Sequence, residues 1–226
     1  MKTKILGLML LGIASSTFAV DRVELDNRIR TLTAKFETLQ QDPAKAIPAE
    51  TLRKAKGIVL LDRTKAGVVF AYQGGSGLAM AKDAPGQWSP AAFLKADEAS
   101  LGAQIGGQHS FIVMVFMDTN FDRWLNDEKA RYGGEARGTA GDSSAGVEGE
   151  TGPQEPSVLV FNSREGLFGG AAGKAGSITF DAPANRIYYG QPLTANDILF
   201  GGKVSPTEAA QALADQIAAS SRLARN

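Results

Sequence analysis

The chain has 226 residues, 43% of them hydrophobic and 21% charged, with 24 Lys and Arg balanced by 24 Asp and Glu. This is globular composition, long enough for one sizeable core or two small ones. Cysteine is absent, which excludes disulfides, thiolate metal sites, cysteine nucleophiles and a lipoprotein anchor, and the 26 glycines cluster without a period, which excludes collagen and solenoid repeats.

The first nineteen residues read as a secretory signal peptide. Lys2 and Lys4 give a basic start, Ile5 to Ile13 is an apolar run too short to span a bilayer, and Thr17-Phe18-Ala19 supplies small residues at a cleavage site. The expected location is therefore periplasmic or secreted. Cleavage after Ala19 removes two lysines, so 22 basic side chains face 24 acidic ones, a net charge near −2. A general nucleic-acid binder carries a basic excess, so nucleic acid is not an expected partner. No later stretch is long and apolar enough to span a membrane.

Asp21 to Gln41 predicts an amphipathic helix, because Leu25, Ile29, Leu32, Phe36 and Leu39 recur four and three apart on one face. Such a helix could lie on a membrane, but its polar face is mixed in sign, which favours packing against the rest of the domain. Pro48 opens a second short helix through Leu52, ending at Gly57. From there the period is that of strands: Ile58 to Leu61, then Gly67 to Tyr72. Gly74-Gly75-Ser76-Gly77 predicts a turn, since glycine accepts positive φ cheaply, with Leu78 to Lys82 returning antiparallel. Asp83-Ala84-Pro85-Gly86 is a further turn, and Trp88 to Phe93 a strand. Ser110 to Met117 is apolar on both faces and should be central.

Asn120 to Asn126 suits a short helix. Tyr132 to Pro156 is glycine-rich and acidic, compatible with a loop or with a close-packed strand of small residues. Ser157 to Asn162, Gly166 to Phe180 and Arg186 to Tyr189 complete the β part, and Thr194 to Phe200 suits one or two helical turns. A last helix is signalled by Ser205 as N-cap, Pro206 at its first position and Glu208 as the capping-box carboxylate. Ala210, Leu213, Ile217 and Leu223 would form its packing face. The expected fold class is α+β: a strongly twisted antiparallel sheet or open barrel with N-terminal and C-terminal helices.

Most catalytic motifs fail on inspection. Gly173-Lys174 ends like a phosphate-binding loop, but Phe168 stands at the required first glycine and Ala175 replaces the magnesium-binding Ser or Thr. Gly102 to Gly107 lacks the strand-then-helix setting of a dinucleotide fingerprint. Around Ser76 a nucleophile elbow would need glycine where Leu78 stands. His109, the single histidine, reads as a strand-edge residue, and one histidine without cysteine is too few ligands for zinc. Asp118, Asp122, Asp127 and Glu128 offer oxygen ligands for a hard cation, but without a recognisable loop spacing they read as a solvated acidic stretch. No catalytic residue, metal or cofactor is expected.

One local asymmetry stands out. Between Thr51 and Lys65, five cations (Arg53, Lys54, Lys56, Arg63 and Lys65) face Asp62 alone, a local charge of +4. Converging, they would hold lipid headgroup phosphates, each contributing roughly 1 kcal/mol at an anionic surface. Equally, they would be solvated cations at the C-terminal end of a helix, where the dipole favours them.

The segment from Ile47 onward resembles the SYLF (Ysc84-like) family. The resemblance is carried by Ile47-Pro48, Leu52, Ala55-Lys56-Gly57-Ile58, Lys65 to Phe70, Gly74-Gly75-Ser76-Gly77, Gly86 to Pro90, Leu101 to Gly107 and Phe111 to Met117. Gly133 to Ala136, Ser163 to Phe168 and Tyr188-Tyr189-Gly190 follow in family order. It covers roughly Thr31 to Gly202. It implies a non-enzymatic lipid-binding domain whose eukaryotic members associate with phosphoinositide membranes and, in some cases, actin. The chain then divides into a signal peptide (1–19), an N-terminal amphipathic helix packing on the domain (20–46), a SYLF-like β-rich domain (47–202) and a C-terminal helix (203–226) beyond the usual domain. The partner implied is anionic phospholipid or a membrane surface, with Gly74, Gly75, Ser76 and Gly77 allowing close backbone approach beside the five cations. An alternative is an envelope protein partner. Gln73 departs from the pattern, where many relatives carry arginine before the glycines, and Gly138 to Pro156 is enlarged.

Overall fold

The computed structural model describes residues 20–67, 70–101, 105–118, 121, 146–148, 158–165, 168–169 and 173–222. Two helices come first, α1 (Arg22–Gln41) and α2 (Ala49–Lys54). Eight strands follow: β1 (Gly57–Gly67), β2 (Phe70–Ala81), β3 (Ala92–Leu101), β4 (Ile105–Phe116), β5 (Gly146–Glu148), β6 (Val158–Glu165), β7 (Phe168–Gly169) and β8 (Gly173–Phe180). The chain closes with α3 (Ala182–Tyr189), α4 (Ala195–Leu199) and α5 (Glu208–Arg222).

The strands form one sheet in the order β5-β6-β4-β1-β2-β3-β8, with β7 paired to β4. Every pairing is antiparallel. Among the described residues six strands are long and two are short, and the two ends of the order do not pair, so the sheet is open. The α+β expectation is met. No helix of the described residues is long and apolar enough to cross a membrane.

Alternation of side chains along the strands builds two apolar layers. On one face Ile58, Leu60, Leu78, Met80, Phe93, Phe111, Val113 and Val115 pack with α1, α2, α3 and α5. On the other, Val59, Leu61, Leu94, Ile112, Met114 and Phe116 pack with Phe121 and α4. β4 is apolar on both sides because both faces are covered, as Ser110 to Met117 predicts. α1 buries the five residues its spacing names, Leu25, Ile29, Leu32, Phe36 and Leu39, each 0–3% exposed. Asp21 caps it, accepting from the Glu24 N–H at 2.8 Å, and Lys35 Nζ reaches Asp62 of β1 at 2.7 Å.

Several local expectations are corrected. Gly67 to Tyr72 is not one strand: Gly67 ends β1 and Phe70 begins β2. Gly74-Gly75-Ser76-Gly77 is not a turn, and Leu78 to Lys82 is not a separate returning strand: residues 70–81 form the single strand β2, paired on both sides. The reason is crowding. A Cβ on Gly77 would meet the Leu60 carbonyl oxygen at 2.3 Å, and one on Gly75 the Asp62 carbonyl oxygen at 2.7 Å. Glycine here serves close approach of neighbouring backbone.

Arg186 to Tyr189 lies in helix α3. Asp181 accepts from the Ala184 N–H at 3.1 Å, a proline sits in the first turn, and Gly190 stops the helix at φ 71°. These start and stop signals outweigh the β-favouring Ile187-Tyr188-Tyr189 run. The last helix begins at Glu208, with Thr207 as its cap: Thr207 Oγ1 accepts from the Ala210 N–H at 3.3 Å. Its packing face includes Ala210, Leu213 and Ile217 as expected. At the other end of the turn 83–86, Trp88 makes only an isolated bridge to Lys82, and β3 starts at Ala92. The readings of residues 1–19, of Asn120 to Asn126 save Phe121, and of Leu223 lie outside the described residues. So do those of Asp122, Asp127 and Glu128 and, save for β5, that of Tyr132 to Pro156.

Buried polar groups lock α3 against the sheet. Asn185, fully buried, accepts from the Phe93 N–H at 2.9 Å and donates to the Phe93 and Asp181 carbonyls at 2.9 and 2.8 Å. It continues the β3 ladder one residue past its last β8 partner, Leu94↔Phe180. Tyr188 hydroxyl bonds Asp26 and Thr207 at 2.6 Å each, joining α1, α3 and the start of α5. Burial first, and then the Asp26 bond, push its phenol up to about 12. Asn185→Leu strands the Phe93 N–H in the core. It should cost about 2 kcal/mol in urea unfolding; a loss within 0.5 kcal/mol, the size of a neutral surface change, would refute this role.

Candidate functional site

α2 is short, and burial sets its orientation. Leu52 and Ala55 are 0% and 1% exposed. Between and after them Arg53, Lys54 and Lys56 face solvent at the rim where β1 begins. Lys54 Nζ lies 3.0 Å from Glu50 and holds that carboxyl below its usual range. Arg53 donates to the Ser221 carbonyl at 3.4 Å, near the end of α5. Cations on the last turns of two helices suit both dipoles.

The end of β2 adds a fourth cation. Lys82 donates its backbone N–H to the Lys56 carbonyl at 2.8 Å. Its Nζ donates to the Arg53 and Leu52 carbonyls at 2.9 and 3.3 Å and lies 5.4 Å from the centre of the half-buried Trp88 ring. Burial, and secondarily the charge of Lys56, hold the Lys82 ammonium below its ordinary range. Asp83, in the following turn, directs Oδ1 to the Gln87 N–H at 2.6 Å.

Arg63 and Lys65 stand apart from this rim. Arg63 is six residues along β1 from Gly57, about 20 Å at the rise of a strand. It is buried at 2% exposure, opposite Gly75 and Ser110. A Cβ on Gly75 would lie 2.8 Å from Arg63 Cγ, so the glycine makes room for the arginine stem. Lys65 pairs with Gln73 and Gln108 in register; its side chain lies outside the described residues. The structure therefore gathers Arg53, Lys54 and Lys56 at one end, and places Gly74, Gly75, Ser76 and Gly77 alongside Arg63 farther up the sheet.

Sequence reasoning missed Lys82 and Trp88. A faint signal existed: a cation ending an apolar strand, a four-residue turn, then tryptophan. What placed them beside Arg53 and Lys56 is the register Gly57↔Ala81, which is non-local. His109 is exposed on β4, its Nδ1 3.1 Å from Thr64 Oγ1. Among the described residues no group of three or more His, Asp or Glu could hold a metal ion.

Residues 97–220 match the family model described as "Ysc84: Las17-binding protein actin regulator", a match that takes in most of α5. Over 177 residues the chain is 29% identical to SH3 domain-containing YSC84-like protein 1 of Homo sapiens, covering 76% of this chain and 51% of that protein. The Xenopus laevis protein of the same name is 28% identical over 180 residues, covering 77% and 54%. LAS seventeen-binding protein 3 of Saccharomyces cerevisiae (strain ATCC 204508 / S288c) is 26% identical over 171 residues, covering 74% and 37%. The chain thus spans about half the length, or less, of these curated relatives. No solved structure matches it.

Proposed function

Because the chain belongs to the Ysc84 (SYLF) family, we propose that it is an exported, non-catalytic protein of the bacterial envelope that binds anionic phospholipid through the rim at the α2 end of its sheet. One observation carries the reading: Arg53, Lys54, Lys56 and Lys82 all lie at this rim, on α2, just before β1 and just after β2, and Lys82 Nζ donates to the Arg53 carbonyl beside the Trp88 ring. Basic side chains near an anionic bilayer contribute roughly 1 kcal/mol each, and tryptophan favours the headgroup level. The alternative membrane contact, the apolar face of α1, is already occupied by the core. Export rests on the Lys2, Lys4, Ile5 to Ile13 and Ala19 pattern. Absence of catalysis is consistent with relatives named for binding.

Co-sedimentation with vesicles tests this. Binding is expected to phosphatidylglycerol-containing vesicles, not to pure phosphatidylcholine, and should weaken as salt rises from 0.05 to 0.5 M, since exposed charges are screened within about 10 Å at 0.1 M. No binding to the anionic vesicles at the lowest salt would remove the proposal.

A second reading, an envelope protein-interaction module, is favoured by the relatives' names, which specify Las17 binding for those proteins. α5 is a poor contact surface for it on its apolar side, because Ala209, Ala210, Leu213 and Ile217 are buried in the core. Deleting residues 203–226 would strip that core, so a partner should instead be sought by substitutions on the exposed side of α5, at Gln211 and Asp215.

A further inference from the structure

The rim holds four cations, but they are not equivalent. Lys54 is paired with Glu50, and Arg53 reaches the end of α5. Lys56 and Lys82 adjoin at the ends of neighbouring strands, one residue before β1 and one after β2: the Lys56 N–H donates to Phe116 O at 2.7 Å, and its carbonyl accepts the Lys82 N–H at 2.8 Å. Like charges placed side by side across strands cost stability. No carboxylate forms an ion pair with either lysine among the described residues. Of the acids close to them in sequence, Glu50 pairs with Lys54 and Asp83 accepts from the Gln87 N–H. Lys82 is fixed by the two α2 carbonyls and by the Trp88 face, whereas Lys56 is exposed.

We infer that Lys56 and Lys82, with Trp88 beside them, form a seat for a single phosphate group of an anionic phospholipid. The inference rests on the membrane-facing rim and goes further: it replaces diffuse attraction with one stoichiometric headgroup. A phosphate between the two ammonium groups offsets their mutual repulsion, and both lysines donate to its oxygens as charge-assisted hydrogen bonds. Trp88 then lies at the boundary of headgroup and acyl chain, where an amphipathic ring is favoured.

The test compares Lys56→Gln with Lys54→Gln, which remove the same charge from the same rim. Wild type and both variants are titrated with phosphatidylglycerol–phosphatidylcholine vesicles, following Trp88 emission in a Trp124→Phe background. The seat predicts a loss of at least about tenfold in affinity for Lys56→Gln, and about twofold or less for Lys54→Gln. Diffuse attraction predicts equal losses, near fivefold each. Equal losses with intact wild-type binding overturn the seat and leave the rim standing, whereas no wild-type binding sinks both.

Lys82→Gln also frees the α2 carbonyls, so it is read beside Lys82→Arg, which keeps charge and donors. Folding of both is checked by circular dichroism. Recovery of binding in Lys82→Arg supports the seat; equal loss in two folded variants counts against it. Soluble glycerol 3-phosphate supplies the phosphate without acyl chains. An emission change with it, absent in Lys56→Gln, assigns the seat to phosphate itself; a change with vesicles alone, also absent in Lys56→Gln, assigns it to the lipid.

Discussion

Phe36→Ala is expected to lower the unfolding free energy by about 4 kcal/mol, within the range for deleting a buried aromatic ring. Phe36 is 0% exposed and sits in the seam Leu25, Ile29, Leu32, Phe36, Leu39 that joins α1 to the sheet. Truncation both loses transfer energy and opens a void that the strands, tied by ladder bonds, cannot close. The control is Glu37→Ala on the exposed side of the same helix, expected within about 0.5 kcal/mol of wild type. Urea midpoints compare the two. The outcome bears on function, because an amphipathic helix that left the sheet could itself enter a bilayer. A Phe36→Ala cost below about 1 kcal/mol would mean that α1 is loosely docked, and the rim would lose its standing as the membrane contact.

Gly77→Ala should cost about 3 kcal/mol, at the upper end for overpacking. Its new Cβ would lie 2.3 Å from the Leu60 carbonyl oxygen and 2.5 Å from Leu61 Cδ2. The first of these is backbone, held in register with β2 and β4, so relief requires moving a strand rather than a rotamer. Gly86→Ala provides contrast. A Cβ there meets nothing within 4 Å, and only its φ of 92° resists substitution, so its cost should be smaller. If both variants unfolded at the same denaturant concentration, crowding between β1 and β2 would not be what the glycine run serves.

The two glycine positions show why part of the fold was legible and part was not. Asp83 to Gly86 reads as a turn and is one: the Gly86 N–H bonds Asp83 O at 3.0 Å. Gly74 to Gly77 has the same local chemistry and lies mid-strand. Glycine permits a turn and also permits close approach of a neighbour, and no local pattern separates the two. α1 was legible to its individual buried residues, since a period of 3.6 is written in the chain itself. α3 is helical although Ile187-Tyr188-Tyr189 favours a strand, because Asp181 and Gly190 cap it and Pro183 suits its first turn.

For the candidate site, the chain alone determined which residues carry charge, that five cations face Asp62 alone between Thr51 and Lys65, and that the ends are helical around antiparallel strands. These follow from composition and from periods a few residues long. Only the tertiary structure decided that Arg63 is buried beside Gly75 and that Lys82 and Trp88 join the α2 rim. Strand register couples residues such as Gly57 and Ala81, and it is set by how two whole faces of the sheet bury themselves at once.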